Sequence, residues 1–343
     1  MNNLWQQYQA NKAQQQGMYF PREGAADLGV SEGALMADAP ETVFLGGDLH
    51  ELVRRLYRLG EVQCVVRNDV CVHEKRGVYE NVRLSPEAGI VLNIGGIDLR
   101  LFPACWKHAL AVTQESHGKI SRSIQFYDEF GTALQKVFMR DESRLPEWHA
   151  LLAEFRNPTR PEFAQAGMPP VVVPPEPDAE QRATFQQAWQ ALEDVHHFGT
   201  LINRFGLDRQ AAYRAAPTGA ARQTGPEAWQ QVLEAVRDQA IDVMIFAGNR
   251  GLVQIQTGRV HNVVRARGYL NVLDGREEGF SMHLKDDQIA ETWVVRRPVR
   301  DGFVSCIEGF DSRRRTVIQI FGRRKEGQPE LAAWTALTDK LLA

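Results

Sequence analysis

"RGVYENVR" at residues 76–83 is answered 181 residues later by "TGRVHNVV" at residues 257–264. The echo runs on in chain order. "LGVSEGAL" (28–35) corresponds to "FGLDRQAA" (205–212), each a glycine stop followed by a residue, Ser31 or Asp208, suited to cap a new helix. "SIQFYDEFGTALQKVF" from Ser123 parallels "CIEGFDSRRRTVIQIF" from Cys306, sharing an aromatic-Asp pair and a closing Val/Ile-Phe. Offsets of 177, 181 and 183 drift only by loop-sized amounts, as in a diverged tandem duplication.

Each copy opens with helices and continues through short alternating apolar segments. "VQCVV", "VCVHE", "GIVLNI" and "LRLF" in the first are matched by "VMIFA", "LVQIQ", "YLNVL" and "FSMHL" in the second, and N-D, G-G, G-R and D-G signals separate them. These are meanders. A closing helix ends each copy, around Leu145–Phe155 and around Pro329–Leu342. The expected class is α+β: two similar halves in tandem, each a large antiparallel sheet with helices packed on one face. The stretch from Asn157 to Pro177, "NPTRPEFAQAGMPPVVVPPEP", has seven prolines and sustains neither helix nor central strand. It divides a first domain at 1–156 from a second at 178–343.

The 343 residues, 43% hydrophobic and 24% charged, are those of an ordinary globular protein, and no apolar run of about 18 residues offers a membrane span. The N-terminus has no basic and apolar export pattern, so the expected location is the cytoplasm. A formal net charge of −3 makes nucleic acid an unlikely partner. Cys64, Cys71, Cys105 and Cys306 have neither zinc nor covalent-haem spacing and are expected to stay reduced.

From Asp178, "DAEQRATFQQAWQALEDVHHFGTLINRFG" starts with a capping pair, Asp178 and Gln181, and reads as one helix to Gly206, bent at Gly199. At about 100° per residue, His196 falls about 40° from Leu192, inside the apolar stripe, and His197 about 140° away, toward solvent. His196 is then either a core histidine or a metal ligand, since a neutral imidazole on an apolar wall is a good axial donor to haem iron. Arg204, Arg209 and Arg214 follow, and arginine grips carboxylates such as haem propionates in a fork.

These features together resemble the bacterial cytoplasmic haemin-transport and haemin-degrading proteins of haem-uptake operons. The resemblance spans essentially the whole chain. It rests on the duplication, on "VHEKRGVY" at Val72–Tyr79, "DLRLF" at Asp98–Phe102, "DVHHF" at Asp194–Phe198 with an arginine thirteen residues after the first histidine, and "QIFGRRKEG" at Gln319–Gly327. It implies a haem b held between two similar halves, with His196 as proximal iron ligand, Arg100 on the distal side ordering water or polarising dioxygen, Phe102 packed near the macrocycle, and Arg209 near the propionates.

The family pattern Gln-x-Tyr-Gly-x-Arg is met by Gln319, Phe321 and Arg324, with the tyrosine hydroxyl lost at Phe321. Arg297 stands where members often carry lysine, and Gly199 where some carry an aromatic residue or a second histidine. In some relatives the histidine of "VHEK" belongs to a second haem site; here His73, alternating with Val70 and Val72, is expected on the polar face of its strand. His108, His117, His149, His261 and His283 are expected to be structural or solvated.

Two functions are implied. One is degradation, with ring opening and iron release driven by external electrons, since no G-x-G-x-x-G motif supplies a reductant site. The other is a haem chaperone that takes haem from an importer and gives it to a separate haem oxygenase. A reductase would be a partner only for the first. A two-domain protein with no ligand is the remaining reading.

Overall fold

The computed structural model describes residues 3–15, 17–116, 118–165, 170–325 and 327–343. His117 and part of the proline-rich stretch therefore lie outside the described residues. The first copy runs α1 (Leu4–Gln14), α2 (Pro21–Asp27), α3 (Glu32–Ala37), β1 (Thr42–Leu45), α4 (Leu49–Arg55), β2 (Val62–Arg67), β3 (Cys71–Gly77), β4 (Val82–Leu84), β5 (Gly89–Leu92), β6 (Asp98–Leu101), β7 (His108–Ser116), β8 (Lys119–Tyr127), β9 (Ala133–Met139) and α5 (Leu145–Phe155). The second runs α6 (Ala179–Gln190), α7 (His197–Arg204), α8 (Arg209–Arg214), β10 (Ala221–Thr224), α9 (Glu227–Asp238), β11 (Val243–Gly248), β12 (Leu252–Gly258), β13 (Val263–Ala266), β14 (Tyr269–Asp274), β15 (Phe280–Leu284), β16 (Glu291–Val299), β17 (Gly302–Phe310), β18 (Thr316–Gly322) and α10 (Ala332–Leu342). Helices and strands follow the same order in both copies.

Packing gathers the chain into two compact units that exchange short segments: the first copy's unit includes Gly248–Gln254, and the second copy's unit includes Asn68–Val72. In the first unit the strands β1, β7, β8, β9, β2 and β3 are neighbours in that order, and β4, β5 and β6 form a meander that pairs with the first residues of β12. The second unit repeats this with β10, β16, β17, β18, β11 and β12, and with the meander β13 to β15.

Strand alternation explains why helices lie on both faces of each unit's larger sheet. In the second unit Val294 of β16, Ile307 of β17 and Ile320 of β18 pack with Trp229 and Val232 of α9 and Trp334 of α10. Their neighbours one residue away, Trp293, Val295 and Cys306, face the other side and pack with Phe185, Trp189, Phe198 and Tyr213 of α6 to α8. The first unit does the same: Ala109 and Phe126 meet Leu52, Trp148 and Leu151, whereas Leu110 and Tyr127 meet Met36 and Ala37. The caps expected at Ser31, Asp178 and Asp208 are present, each side chain accepting a backbone N–H in the first turn.

The single helix expected from Asp178 to Gly206 is instead two. The apolar spacing continues through Leu192 and Val195, but α6 ends at Gln190 and α7 begins at His197. Asp194 breaks it, because its Oδ1 accepts the backbone N–H of His196 at 2.8 Å and competes with the helical bond there. Gly199 lies inside α7, away from the break.

Trp334 is wholly buried, donates its indole N–H to the Ser305 carbonyl at 3.0 Å, and lies so close over Gly322 that a Cβ there would sit 2.6 Å from its ring. Trp334→Ala is expected to cost about 3–5 kcal/mol, read as a lowered urea midpoint by circular dichroism.

Candidate haem site

His196 precedes α7 with 88% of its side-chain surface in water, so it is not in the apolar stripe. Ending α6 at Gln190 resets the helical phase, and the wall is formed by Phe198 two residues on. The His196 ring is held at Nδ1, 2.7 Å from Asp194 Oδ1. An ionised carboxylate only accepts, so Nδ1 carries the proton, and in the neutral ring Nε2 is the nitrogen left with a lone pair. His197 is exposed as expected.

Phe198 anchors this loop. Its ring is buried against Trp189 and stacked on Tyr213 at 5.9 Å, with the Arg209 guanidinium 5.3 Å and the Arg297 guanidinium 4.9 Å from its centroid. The fork of Arg209, expected near a propionate, closes on a buried carboxylate instead: Nε and Nη2 donate to Glu308 at 2.5 and 2.7 Å. Tyr213 and Thr316 hydroxyls complete the shell of Glu308. Burial alone would raise the Glu308 carboxyl, but the charge and hydrogen bonds of Arg209 outweigh it, and the group titrates below its ordinary value.

Arg297 differs. It is 3% exposed, its Nη2 reaches the Cys306 sulfur at 3.3 Å, and among the described residues its buried Nε has no hydrogen-bond partner. A buried guanidinium short of acceptors is the feature an anionic ligand would satisfy. Strand register places Gln319 and Phe321 on the same sheet face as Glu308 and Cys306, their cross-strand partners, and both keep partial exposure. Phe321 packs edge-on against Phe246 at 5.2 Å. Arg324 follows the end of β18, partly exposed.

The first unit carries the other expected residues. Arg100 is on β6, opposite Ile90 of β5 and Val253 of β12, and pairs with Asp98; burial pushes the Asp98 carboxyl up although Arg100 pulls it down. Phe102, two residues on, is 42% exposed, and Leu92 next to the β5–β6 turn is 43% exposed. Leu92 is paired with Asp98 across the strands, two residues from Arg100.

His73 is not on a polar face: it is 0% exposed, with Nδ1 2.9 Å from Gln254 Nε2. The strand begins one residue later than the Val70, Val72 alternation assumes, because Asn68 Oδ1 accepts the N–H groups of Val70 and Cys71 and makes Val70 part of the turn. Val70 therefore says nothing of the strand's phase, and within the strand Cys71, His73 and Lys75 are the buried set. A haem on His73 would require this buried side to open. His283, at the place of Arg100 in the second copy, has Nδ1 2.6 Å from Asn271 Oδ1.

The sequence reading missed Asp194, Phe198, Tyr213 and Glu308. The signal for Glu308 was an acid between apolar residues in a strand, and the one for Asp194 was an acid two residues before a histidine.

Two tandem α+β repeats, the second with an exposed imidazole and a buried arginine on opposite sides of Phe198 in sequence, set the frame for comparison with known proteins. The chain belongs to the haemin-degrading HemS/ChuX family, whose model matches residues 29–155 and 206–341. It is 38% identical over 336 residues to the hemin transport protein HemS of Yersinia enterocolitica, covering 97% of this chain and 95% of that one. Its structure is similar to that of the heme-degrading enzyme ChuS of Escherichia coli O157:H7, with a TM-score of 0.89 and 32% identity over 98% of each chain. It is also similar to the heme-loaded heme-binding protein PhuS of Pseudomonas aeruginosa, with a TM-score of 0.89 and 34% identity over 98% of this chain and 97% of that one. No helix among the described residues is long and apolar enough to cross a membrane.

Glu308→Gln leaves Arg209 without its counter-charge. Because 28% of the Arg209 side chain remains in water, the expected loss at neutral pH is on the order of 2–3 kcal/mol, below that of a fully buried pair. A depressed carboxyl stabilises above its unfolded value and loses that contribution as pH falls through the folded one. Urea midpoints of wild type and variant should therefore converge below the ordinary value of 4.5.

Proposed function

We propose that this chain binds haem through His196 and degrades it in the cytoplasm, opening the ring and releasing iron with electrons from an external reductase. The observation that carries the reading is the His196 imidazole: outward, with Nδ1–H tied to Asp194 and Nε2 directed into solvent. Family membership and likeness to a heme-degrading enzyme support it. Arg297, with its unpaired Nε, and Arg324 would receive the propionates, beside Gln319 and Phe321. Phe321 offers a face and no hydroxyl, so it packs without donating. Arg209, its fork taken by Glu308, would serve the site by holding Phe198 rather than by gripping a propionate.

Haem, as substrate, brings both the iron that activates dioxygen and the ring that is opened. The residues supply position and charge. Arg100 would order water and stabilise negative charge as it develops, with its guanidinium steadied by Asp98. Phe102 and Leu92 would exclude bulk water from the macrocycle.

A carrier role that accepts haem from an importer and hands it to a haem oxygenase is the second reading. What favours it is the open surface at His196, whose side chain is 88% exposed, and at Gly199, where an added Cβ would meet none of the described residues within 4 Å.

Haemin titration followed by ascorbate or a reductase, with catalase and air, separates the two. Degradation predicts loss of the Soret band over minutes with release of iron. A band that persists, together with transfer to an apo-oxygenase, would favour the carrier. His196→Ala is expected to weaken haem binding by about 10-fold or more and to shift the Soret maximum; wild-type affinity and spectrum would sink the ligand assignment.

A further inference from the structure

His196 has little packing to fix its rotamer, yet its ring is placed. Among the described residues its one polar partner is Asp194, and a single oxygen makes both contacts: Oδ1 accepts the His196 backbone N–H at 2.8 Å and lies 2.7 Å from Nδ1. A residue that served only to turn the chain would need the first contact alone. The second settles which ring nitrogen is protonated and which way the other points. Because the backbone contact pins the carboxylate, the ring is oriented before any ligand arrives, and less rotamer freedom is lost on binding.

We propose that Asp194 is a positioning residue for the iron-binding nitrogen of His196, acting as the outer carboxylate of a carboxylate–histidine–iron relay. This rests on the haem reading of the site. By accepting the Nδ1 proton in a hydrogen bond, the carboxylate makes Nε2 a stronger donor and selects the Nδ1–H tautomer, in which Nε2 can bind metal. The segment that breaks the long helix thereby also sets the ligand's chemistry.

The haem-free protein gives the first test. Nitrogen-15 NMR of the His196 ring is expected to show the Nδ1–H tautomer in wild type and a shift toward Nε2–H in Asp194→Ala. Predominant Nε2–H in wild type would overturn the inference. With haem bound, Asp194→Asn keeps the turn, so circular dichroism and the presence of a Soret band should be unchanged. The iron–histidine stretch in resonance Raman should fall, and ferric haem affinity should drop about 10- to 100-fold, further in Asp194→Ala.

Wild-type stretch and affinity in both variants would overturn the inference while leaving the haem reading intact, provided His196→Ala loses the band. If His196→Ala binds haem with an unchanged spectrum, the haem reading falls and the inference with it.

Discussion

The clamp on Phe198 is the contact on which the rest of the second unit's chemistry depends. Two guanidiniums flank one ring, Arg209 at 5.3 Å and Arg297 at 4.9 Å, and the loop bearing His196 begins two residues away. The arginines are not equivalent. Arg209 is neutralised by Glu308, whose carboxylate is also met by Tyr213 and Thr316, so this side of the clamp is closed and rigid. Arg297 is buried with acceptors missing, a cost of the kind that persists where a ligand repays it. The same ring thus lies between a guanidinium that grips Glu308 and one whose Nη2 reaches the Cys306 sulfur.

Both copies keep an ion pair between the third helix and the sheet, with its signs exchanged. Glu32 of α3 occupies the place of Arg209 by the offset of 177, and it pairs with Lys136 of β9, which occupies the place of Gln319 by the offset of 183. In one unit the helix supplies the base and the sheet the acid; in the other the roles are reversed. Either polarity fastens the third helix to the sheet, so selection for folding does not distinguish them. Ligand chemistry does. Gln114 stands where Arg297 would be, and Tyr19, whose hydroxyl goes to Asp27, where His196 would be.

Most of the architecture was legible because duplication and strand alternation are long-range, redundant signals. The segments "VQCVV", "VCVHE", "YLNVL" and "FSMHL" all contribute to strands, and the closing helices fall at Leu145–Phe155 and Ala332–Leu342. What failed was phase. For His196, the apolar period ran on through Leu192 and Val195, and nothing in it registered that an aspartate side chain would take the His196 N–H. For His73, counting from Val70 started one residue early because an asparagine turn consumes that valine. In both cases a local side-chain bond to backbone overrode a periodic pattern. The arginines were visible in the sequence, but their partners were not: Glu308 lies 99 residues from Arg209, and only the fold brings them together.

The exchange of short segments has a consequence for biogenesis. The first unit includes Gly248–Gln254, where Trp106 donates its indole N–H to the Gly251 carbonyl and Asn249 reaches the carbonyls of Arg67 and Leu134. A nascent chain that has emerged only as far as the proline-rich stretch lacks a piece of its own first core. The first copy's unit is therefore completed only once synthesis has passed Gln254, well into the second copy. The two copies share, through these exchanged segments, one set of contacts.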